Sequence, residues 1–212
     1  MKLDIVTPSL SGLVHHSHMN ILPALMDLDP APELRYAVQA GMPLVGLARN
    51  LLVARLTPEN PADDWRDMIW IDADTIVEPD TVVRLWESAQ TLRERYPNDM
   101  DRMVLSAVVP GRMRGPAHGE LEMSFPPAEG VYRTDHVGFG LVFVSGPLIR
   151  AMRFKAKAFN YEGMIHHDYF PTGPARREYM GEDVGFCRLA FSSGCHIYVD
   201  TNIVAGHYEG MV

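Results

Sequence analysis

Two aspartates directly after a short apolar run carry the strongest chemical signal in this sequence. Asp72 and Asp74 follow residues 68–71, a run too short for a helix and typical of a buried strand. In open α/β sheets, ligands bind outside the carboxyl ends of the strands. Two carboxylates held there repel each other unless a cation lies beside them, and Mg²⁺ or Mn²⁺ also bridges the phosphates of a nucleotide. The pattern therefore predicts a metal-linked nucleotide site.

The Asp-x-Asp spacing alone is not specific, because the chain contains it three times. Asp27 and Asp29 stand among helix and proline signals, and Asp99 and Asp101 stand in a polar stretch before a predicted strand. Neither of these pairs follows a buried strand. We therefore expect both to be solvated acids, and only the middle pair to have a role in chemistry.

Two later signals are ambiguous when each is taken alone. Glu182 and Asp183 open a predicted helix, where the positive end of the helix dipole stabilises carboxylates without any catalysis. His207 lies in a turn-rich tail, and a lone histidine is more often a surface or core group than a ligand. Their place in the chain relative to the Asp72 pair makes them candidates.

The clustered histidines do not predict zinc. His15, His16 and His18 lie close together, and His166 and His167 precede Asp168. Neither group has matching cysteines or the helical His-Glu-x-x-His spacing of zinc enzymes. Their position instead favours loops that line a site or contact a substrate.

Strand and helix signals alternate along the chain, which predicts an α/β fold with a mostly parallel central sheet flanked by helices. A long loop or small hairpin is expected between Arg112 and Arg133, and an irregular, mobile lid over residues 154–180. The predicted strands cover residues 3–6, 68–71, 103–109, 137–144 and 196–199. The predicted helices cover residues 19–28, 33–40, 47–56, 79–96, 147–152 and 182–193.

Composition excludes several classes of protein. The 212 residues, 47% hydrophobic and 22% charged, suit one globular domain, and a net charge of −8 disfavours nonspecific binding of nucleic acid. The cysteines Cys187 and Cys195 form neither a disulfide framework nor a metal motif. No targeting or membrane-spanning segment is visible. We therefore expect a cytoplasmic protein, in the host cytoplasm if a phage encodes it.

Several weak motifs, taken in order, resemble one family. They are the first strand with Thr7, Pro8 and Ser9, the helix with Arg49, the sequence Asp72-Ala73-Asp74, the sequence Gly138-Phe139-Gly140, the sequence Gly181-Glu182-Asp183 and the late His207. Their order and placement resemble GT-A-fold glycosyltransferases, especially the small family-2-like members of bacteria and their phages. The match runs through nearly the whole chain and implies a single Rossmann-like catalytic domain.

The resemblance implies a role for each matched residue. Asp72 would lie near ribose or metal, Asp74 and His207 on the metal, and Asp183 or Glu182 at the reacting centre, with Asp183 as base if the reaction inverts configuration. Oxygen ligands with one imidazole suit Mn²⁺ or Mg²⁺. The nucleotide-sugar would contact Thr7, Pro8, Ser9, Arg49, Asp72, Ala73, Asp74, Gly138, Phe139 and Gly140. Residues 1–111 would form the nucleotide-sugar half and residues 112–212 the acceptor and metal half.

The expected reaction is metal-dependent transfer of a hexosyl or pentosyl unit from a nucleotide-diphosphate sugar, with UDP favoured, to a hydroxyl acceptor. The acceptor could be a glycan, a protein, a metabolite or a hydroxylated base in phage DNA. For DNA, a local basic rim would have to offset the net charge, formed by Arg112, Arg114, Arg153, Lys155, Lys157, Arg176 and Arg177. The alternatives are a nucleotidyltransferase, whose basic, glycine-rich first loop is missing here, and a noncatalytic nucleotide-sugar-binding or assembly module.

Overall fold

The computed structural model describes residues 1–60, 62–98, 100–109, 130–175 and 178–207. Within these residues, a seven-stranded sheet is covered by helices on both faces. The chain has the mixed α/β class predicted from its sequence. The two halves proposed from the sequence meet in this one sheet, since its strands come from both.

The described helices are α1 (Ile21–Met26), α2 (Val45–Leu56), α3 (Pro79–Arg95), α4 (Gly146–Arg153) and α5 (Glu182–Ser192), with a short 3₁₀ helix at His16–Asn20. The strands of the large sheet are β1 (Lys2–Ser9), β2 (Glu33–Ala40), β3 (Asp67–Ile71), β5 (Met103–Val108), β6 (Val131–Arg133), β7 (Leu141–Val144) and β12 (His196–Val204). Three small pairs use β4 (Thr75–Ile76) with β13 (Gly206–His207), β8 (Lys157–Tyr161) with β9 (Met164–Asp168), and β10 (Gly173–Ala175) with β11 (Glu178–Met180).

The large sheet is mixed, so the prediction of a mostly parallel sheet is wrong. Its order is β2-β1-β3-β7-β5-β12-β6. The pairs β1/β2, β1/β3 and β5/β12 are parallel, whereas β3/β7, β5/β7 and β6/β12 are antiparallel. Two strands cause this: β7 runs in the opposite direction between β3 and β5, and β6 runs opposite to β12 at the edge of the sheet. Hydrophobic runs that are buried on both faces do not reveal strand direction.

Alternate residues of the central strands pack against different helices. Ile69 and Ile71 belong to a core formed with α1 and α3, whereas Met68 and Trp70 belong to a second core formed with α2, α4 and α5. This two-sided burial explains why β3 reads as an unbroken apolar run. As a result, β3 lies between the two layers of helices along its whole length.

Two predicted segments form different elements from those expected. Residues 33–40 are the edge strand β2 and not a helix; Leu34, Tyr36 and Val38 alternate along it with a period of two, which is the pattern of a strand. Residues 154–175 and 178–180 are not irregular, because they form two antiparallel strand pairs, and Phe170 is buried in the core. Movement of this segment as a lid stays a prediction.

Two other boundaries differ from the prediction. Thr7, Pro8 and Ser9 lie inside β1 and do not follow it, because β2 continues to pair with β1 up to Ser9. Pairing of β1 with β3 stops at Val6, so the missing N–H of Pro8 leaves no gap on that side. In the same region of the fold, residues 137–140 bend before β7 begins at Leu141.

Candidate active site

The turn after β3 places Asp72 and Asp74 at the carboxyl end of the sheet. The Asp72 N–H donates to the carbonyl of Gly140 at 3.1 Å, and the Thr75 N–H donates to the carbonyl of Asp72 at 2.9 Å. The first bond joins the turn to the bend that precedes β7. A Cβ on Gly140 would lie 3.0 Å from Cγ1 and Cγ2 of Val109, so the Val109 side chain would have to shift to admit one. The predicted Gly138-Phe139-Gly140 motif therefore contacts the predicted Asp-x-Asp motif.

Arg49 is the centre of the site. Its side chain is only 2% exposed and donates to Asp72 Oδ1 at 2.8 Å, to Glu182 Oε1 at 3.2 Å and to Asp183 Oδ1. Helix α2 supplies Arg49, the turn after β3 supplies Asp72, and the first turn of α5 supplies the two acids. A single guanidinium thus brings together three carboxylates from two segments that are far apart in sequence.

Aromatic rings support the guanidinium from below. The Arg49 Cζ lies 4.9 Å from the centroid of the Phe139 ring and 5.5 Å from that of Phe170. The two rings pack edge-to-face with each other at 5.2 Å. Cation–π contacts of this kind stabilise a desolvated arginine. Phe139, the middle residue of the Gly138-Phe139-Gly140 motif, therefore packs against the guanidinium of Arg49.

Burial and mutual charge shift the ionisation of the cluster. Burial, followed by the charges of Asp72 and Glu182, raises the pKa of Asp183 to about 6, although Arg49 acts in the opposite direction. Burial likewise raises the pKa of Asp72, again opposed by Arg49. Burial would lower the pKa of Arg49, but the attached carboxylates outweigh it and raise that pKa, so the guanidinium stays charged. Asp183 is consequently a carboxylate that can exchange a proton near neutral pH.

His207 and Asp74 form a second pair beside the cluster. The short pair of β4 and β13 aligns His207 with Thr75, and this brings His207 Nε2 to 3.5 Å from Asp74 Oδ2. Asp74 is 38% exposed and His207 is 17% exposed, so the pair faces the outside of the sheet end. A single divalent cation can contact two groups at this separation.

Asp72 pairs with Arg49 and is not grouped with Asp74 and His207 among the described residues. Its Oδ1 is used by Arg49, and among the described residues no three His, Cys, Asp or Glu side chains form a group that could hold a metal ion. The predicted metal set of Asp72, Asp74 and His207 is therefore brought to one sheet end, with Asp74 and His207 as the adjacent pair. Its role in metal binding stays a prediction.

A clamp around the Asp-x-Asp turn was not predicted from the sequence. The His15 N–H donates to the carbonyl of Ala73 at 2.9 Å, and the buried His18 donates through Nε2 to the carbonyl of Thr75 at 3.0 Å. Between them, Ser17 Oγ accepts from the N–H of Val77 at 3.1 Å. We call His15, Ser17 and His18 the turn clamp. Two of the three histidines near residue 16, His15 and His18, therefore support the Asp-x-Asp turn.

The second histidine cluster is tied to α2 through an amide. Asn50 donates to Asp168 Oδ1 at 2.9 Å, and its own Oδ1 accepts the N–H groups of Tyr169 and Phe170. Asn50 follows Arg49, so one turn of α2 holds both the carboxylate cluster and the end of the β8–β9 hairpin. The sequence marked Asn50 only as a polar group in a buried helix.

Other predicted residues have structural surroundings. Thr7 is buried and accepts from the Tyr36 hydroxyl at 3.4 Å, and Ser9 donates to the carbonyl of Leu13 at 2.6 Å. In the proposed basic rim, Arg153 binds the carbonyl of Pro58 and Lys155 binds that of Ser192. Lys157 is exposed at the start of β8, and Arg112, Arg114, Arg176 and Arg177 lie outside the described residues.

Comparison with known proteins supports the fold alone. No protein-family model matches the chain, and no curated protein matches it. Among solved structures it is similar to "Crystal Structure of A197 from STIV", with a TM-score of 0.55 and 14% sequence identity over 98% of this chain and 86% of that chain. The shared property is the fold. Among the described residues, no helix is both long enough and apolar enough to cross a membrane.

Proposed function

We propose that the protein is a metal-dependent, GT-A-type glycosyltransferase of the cytoplasm, which moves a sugar from a nucleotide-diphosphate sugar to a hydroxyl acceptor. The observation that carries this proposal is the arrangement of two adjoining groups at one sheet end. One is the Asp183 carboxylate, with its pKa raised to about 6, held with Asp72 on Arg49. The other is the Asp74–His207 pair. Resemblance to the family supplies the choice of reaction.

Asp183 has the properties of a general base. With a pKa of about 6 it is mostly ionised at neutral pH and still basic enough to accept a proton. It would take the proton of the acceptor hydroxyl while the acceptor oxygen bonds to the sugar carbon and the diphosphate leaves with the electron pair of the broken bond. Glu182, beside it on Arg49, would bind hydroxyl groups of donor or acceptor.

The carboxylate of Asp74 and the imidazole of His207 fit a hard divalent cation as ligands. Mg²⁺-type ions in nucleotide sites need only one or two carboxylates from the protein, because substrate phosphates and water complete the coordination. Asp74 and His207 would hold Mn²⁺ or Mg²⁺, and the ion would neutralise the negative charge on the departing diphosphate. The turn clamp keeps Asp74 in place for this role. Among the donors we favour UDP-sugars on the family resemblance.

The test is donor binding measured as a change in melting temperature. A ligand that binds only the folded state raises its melting temperature. We expect metal-stripped protein to be stabilised by one class among UDP-, GDP-, dTDP- and CMP-sugars only when Mn²⁺ is added. Asp74→Ala should abolish the shift, whereas the exposed Asp27→Ala, from another Asp-x-Asp pair, should retain it. If no donor shifts the melting temperature with Mn²⁺, the proposal is wrong.

A further inference from the structure

A groove adjoins the carboxylate cluster on the side of Glu182. It lies between the first turn of α2, the chain that follows β9, and the junction of β11 with α5. Its volume of about 510 Å³ falls in the range of ~300–1,000 Å³ that is usual for small-molecule pockets. Glu182 lines the groove, and Glu182 Oε1 and Asp183 Oδ1 accept from the same Arg49 nitrogen, so one end of the groove lies near the proposed base.

The walls of the groove are largely apolar. Leu44 and Val45 form one side and Phe159 and Phe170 contribute to the other, while Tyr179 stands at the rim with 74% of its surface exposed. An exposed aromatic ring next to a cavity offers a flat face for another ring to stack on. The groove therefore favours a ligand with an apolar face.

The polar groups of the groove are acceptors of hydrogen bonds. Asp168 and Glu182 are its two acidic side chains, and one carboxylate oxygen of each accepts a hydrogen bond from the protein. Lys, Arg and His are missing from the described lining residues. The nearby Arg49 is buried and bound to three carboxylates, so it offers no charge to a ligand. The second oxygen of each carboxylate accepts no hydrogen bond from the described residues, and such oxygens suit hydroxyl donors and repel a phosphate.

We propose that this groove binds the acceptor and selects an uncharged, polyhydroxylated ring, a glycosyl unit, over a phosphodiester. This rests on the proposed function and deepens it by naming the acceptor class. The C–H face of the ring stacks on Tyr179 and the apolar walls, and its hydroxyl groups donate to Asp168 and Glu182. A hydroxylated base in DNA would bring backbone phosphates towards these two carboxylates and Asp183, which disfavours the DNA acceptor considered from the sequence.

Saturation-transfer NMR without donor or metal tests the inference by binding and not by turnover. The probes are neutral methyl glycosides of glucose, galactose, mannose and N-acetylglucosamine, the corresponding sugar 6-phosphates, and duplex DNA with 5-hydroxymethylated pyrimidines. We expect at least one neutral glycoside to bind, and its 6-phosphate to bind about 10-fold more weakly because of charge repulsion. Asp168→Asn should reduce the difference in affinity between the glycoside and its 6-phosphate, because it removes one of the two negative charges.

Matched variants locate the binding in the groove. Tyr179→Ala should weaken the glycoside several-fold, and Tyr179→Phe should preserve binding because the ring is kept. Phe154→Ala is the control, since Phe154 is equally exposed at 74% but lies outside the groove. Binding of sugar phosphates or DNA in preference to every neutral glycoside would overturn the inference, as would the absence of glycoside binding or indifference to Tyr179→Ala. The Mn²⁺-dependent donor shift is measured separately, so a failure of acceptor binding is distinguished from a failure of the proposed function.

Discussion

Replacing Arg49 by methionine should destabilise the protein much more at high pH than at low pH. The change keeps an unbranched side chain but leaves Asp72, Glu182 and Asp183 without their shared cation. Removing one partner of a buried ion pair typically costs ~3–5 kcal/mol, and we expect this loss at about pH 8, where the carboxylates are ionised. The assay is equilibrium unfolding in urea at about pH 5 and about pH 8.

The pH dependence follows from the raised pKa of Asp183. Its folded value of about 6 exceeds the ordinary value of ~3.9, so the folded state binds more protons between these limits and stability falls as pH rises through that window. Without Arg49, the pKa of Asp183 rises further, so the range over which stability falls extends to higher pH. At about pH 5 the variant recovers ~1.4 kcal/mol for each unit of that additional rise, because protonation removes the unpaired charge.

Arg66→Met is the matched control. The side chain of Arg66 is 9% exposed and pairs with Asp4 and with the exposed Glu33, but Asp4 keeps a second guanidinium from Arg35 at 2.6 Å when Arg66 is removed. Its cost should therefore be similar at both pH values. If Arg49→Met costs the same free energy at about pH 5 and about pH 8, Arg49 is not the counter-charge of ionised carboxylates and the account of the cluster is refuted. Should Arg49→Met fail to fold, Arg49→Lys keeps the charge and should restore folding.

Three more predictions concern chemistry, metal binding and packing. The rate of sugar transfer should rise with pH to a plateau, with a midpoint near pH 6, because Asp183 must be ionised to accept a proton. Asp183→Asn should lower kcat by at least 100-fold, and a rate that is constant between pH 5 and 8 would exclude Asp183 as the base. His18→Phe should weaken Mn²⁺ binding about 10-fold in a calorimetric titration by removing the bond to Thr75, whereas the exposed neighbour His16→Phe should leave it unchanged; equal affinities would show that the turn clamp does not position Asp74. Gly185→Ala should reduce the melting temperature by several degrees, because a Cβ there would lie 1.8 Å from the Pro171 carbonyl oxygen, and a wild-type melting curve would contradict that packing.

The positions of the site motifs could be predicted because each is marked locally. Asp72 and Asp74 follow a buried strand, and Glu182 and Asp183 begin a helix, which are properties of neighbouring residues. The helix around Arg49 was also predictable from its apolar residues. Local signals therefore located the ends of the elements, and the carboxyl-end rule for α/β sheets identified which ends to examine.

The connections between the motifs could not be predicted in the same way. The contacts of Arg49 with Glu182 and Asp183 join residues more than 130 positions apart. The turn clamp acts on backbone carbonyls, which every residue has, so its targets leave no trace in the sequence. The direction of β7 is likewise set by its neighbours. By contrast, the alternation of Leu34, Tyr36 and Val38 is a local signal of a strand, so the prediction of a helix over residues 33–40 misses information that the sequence contains.

The insertion of β7 between β3 and β5 has a consequence for how the protein is made. A ribosome releases β1, β2, β3 and β5 before residues 141–144, so the early strands cannot form a continuous sheet until β7 has emerged. The bond from Asp72 to Gly140 forms at the same junction. Nascent chains that end before residue 141 therefore have β1, β2 and β3 as one group of strands and lack the partners of β5, which exposes open strand edges to aggregation and to chaperones. The carboxylate cluster and the sheet are completed only when α5 and then β12 have emerged, late in synthesis.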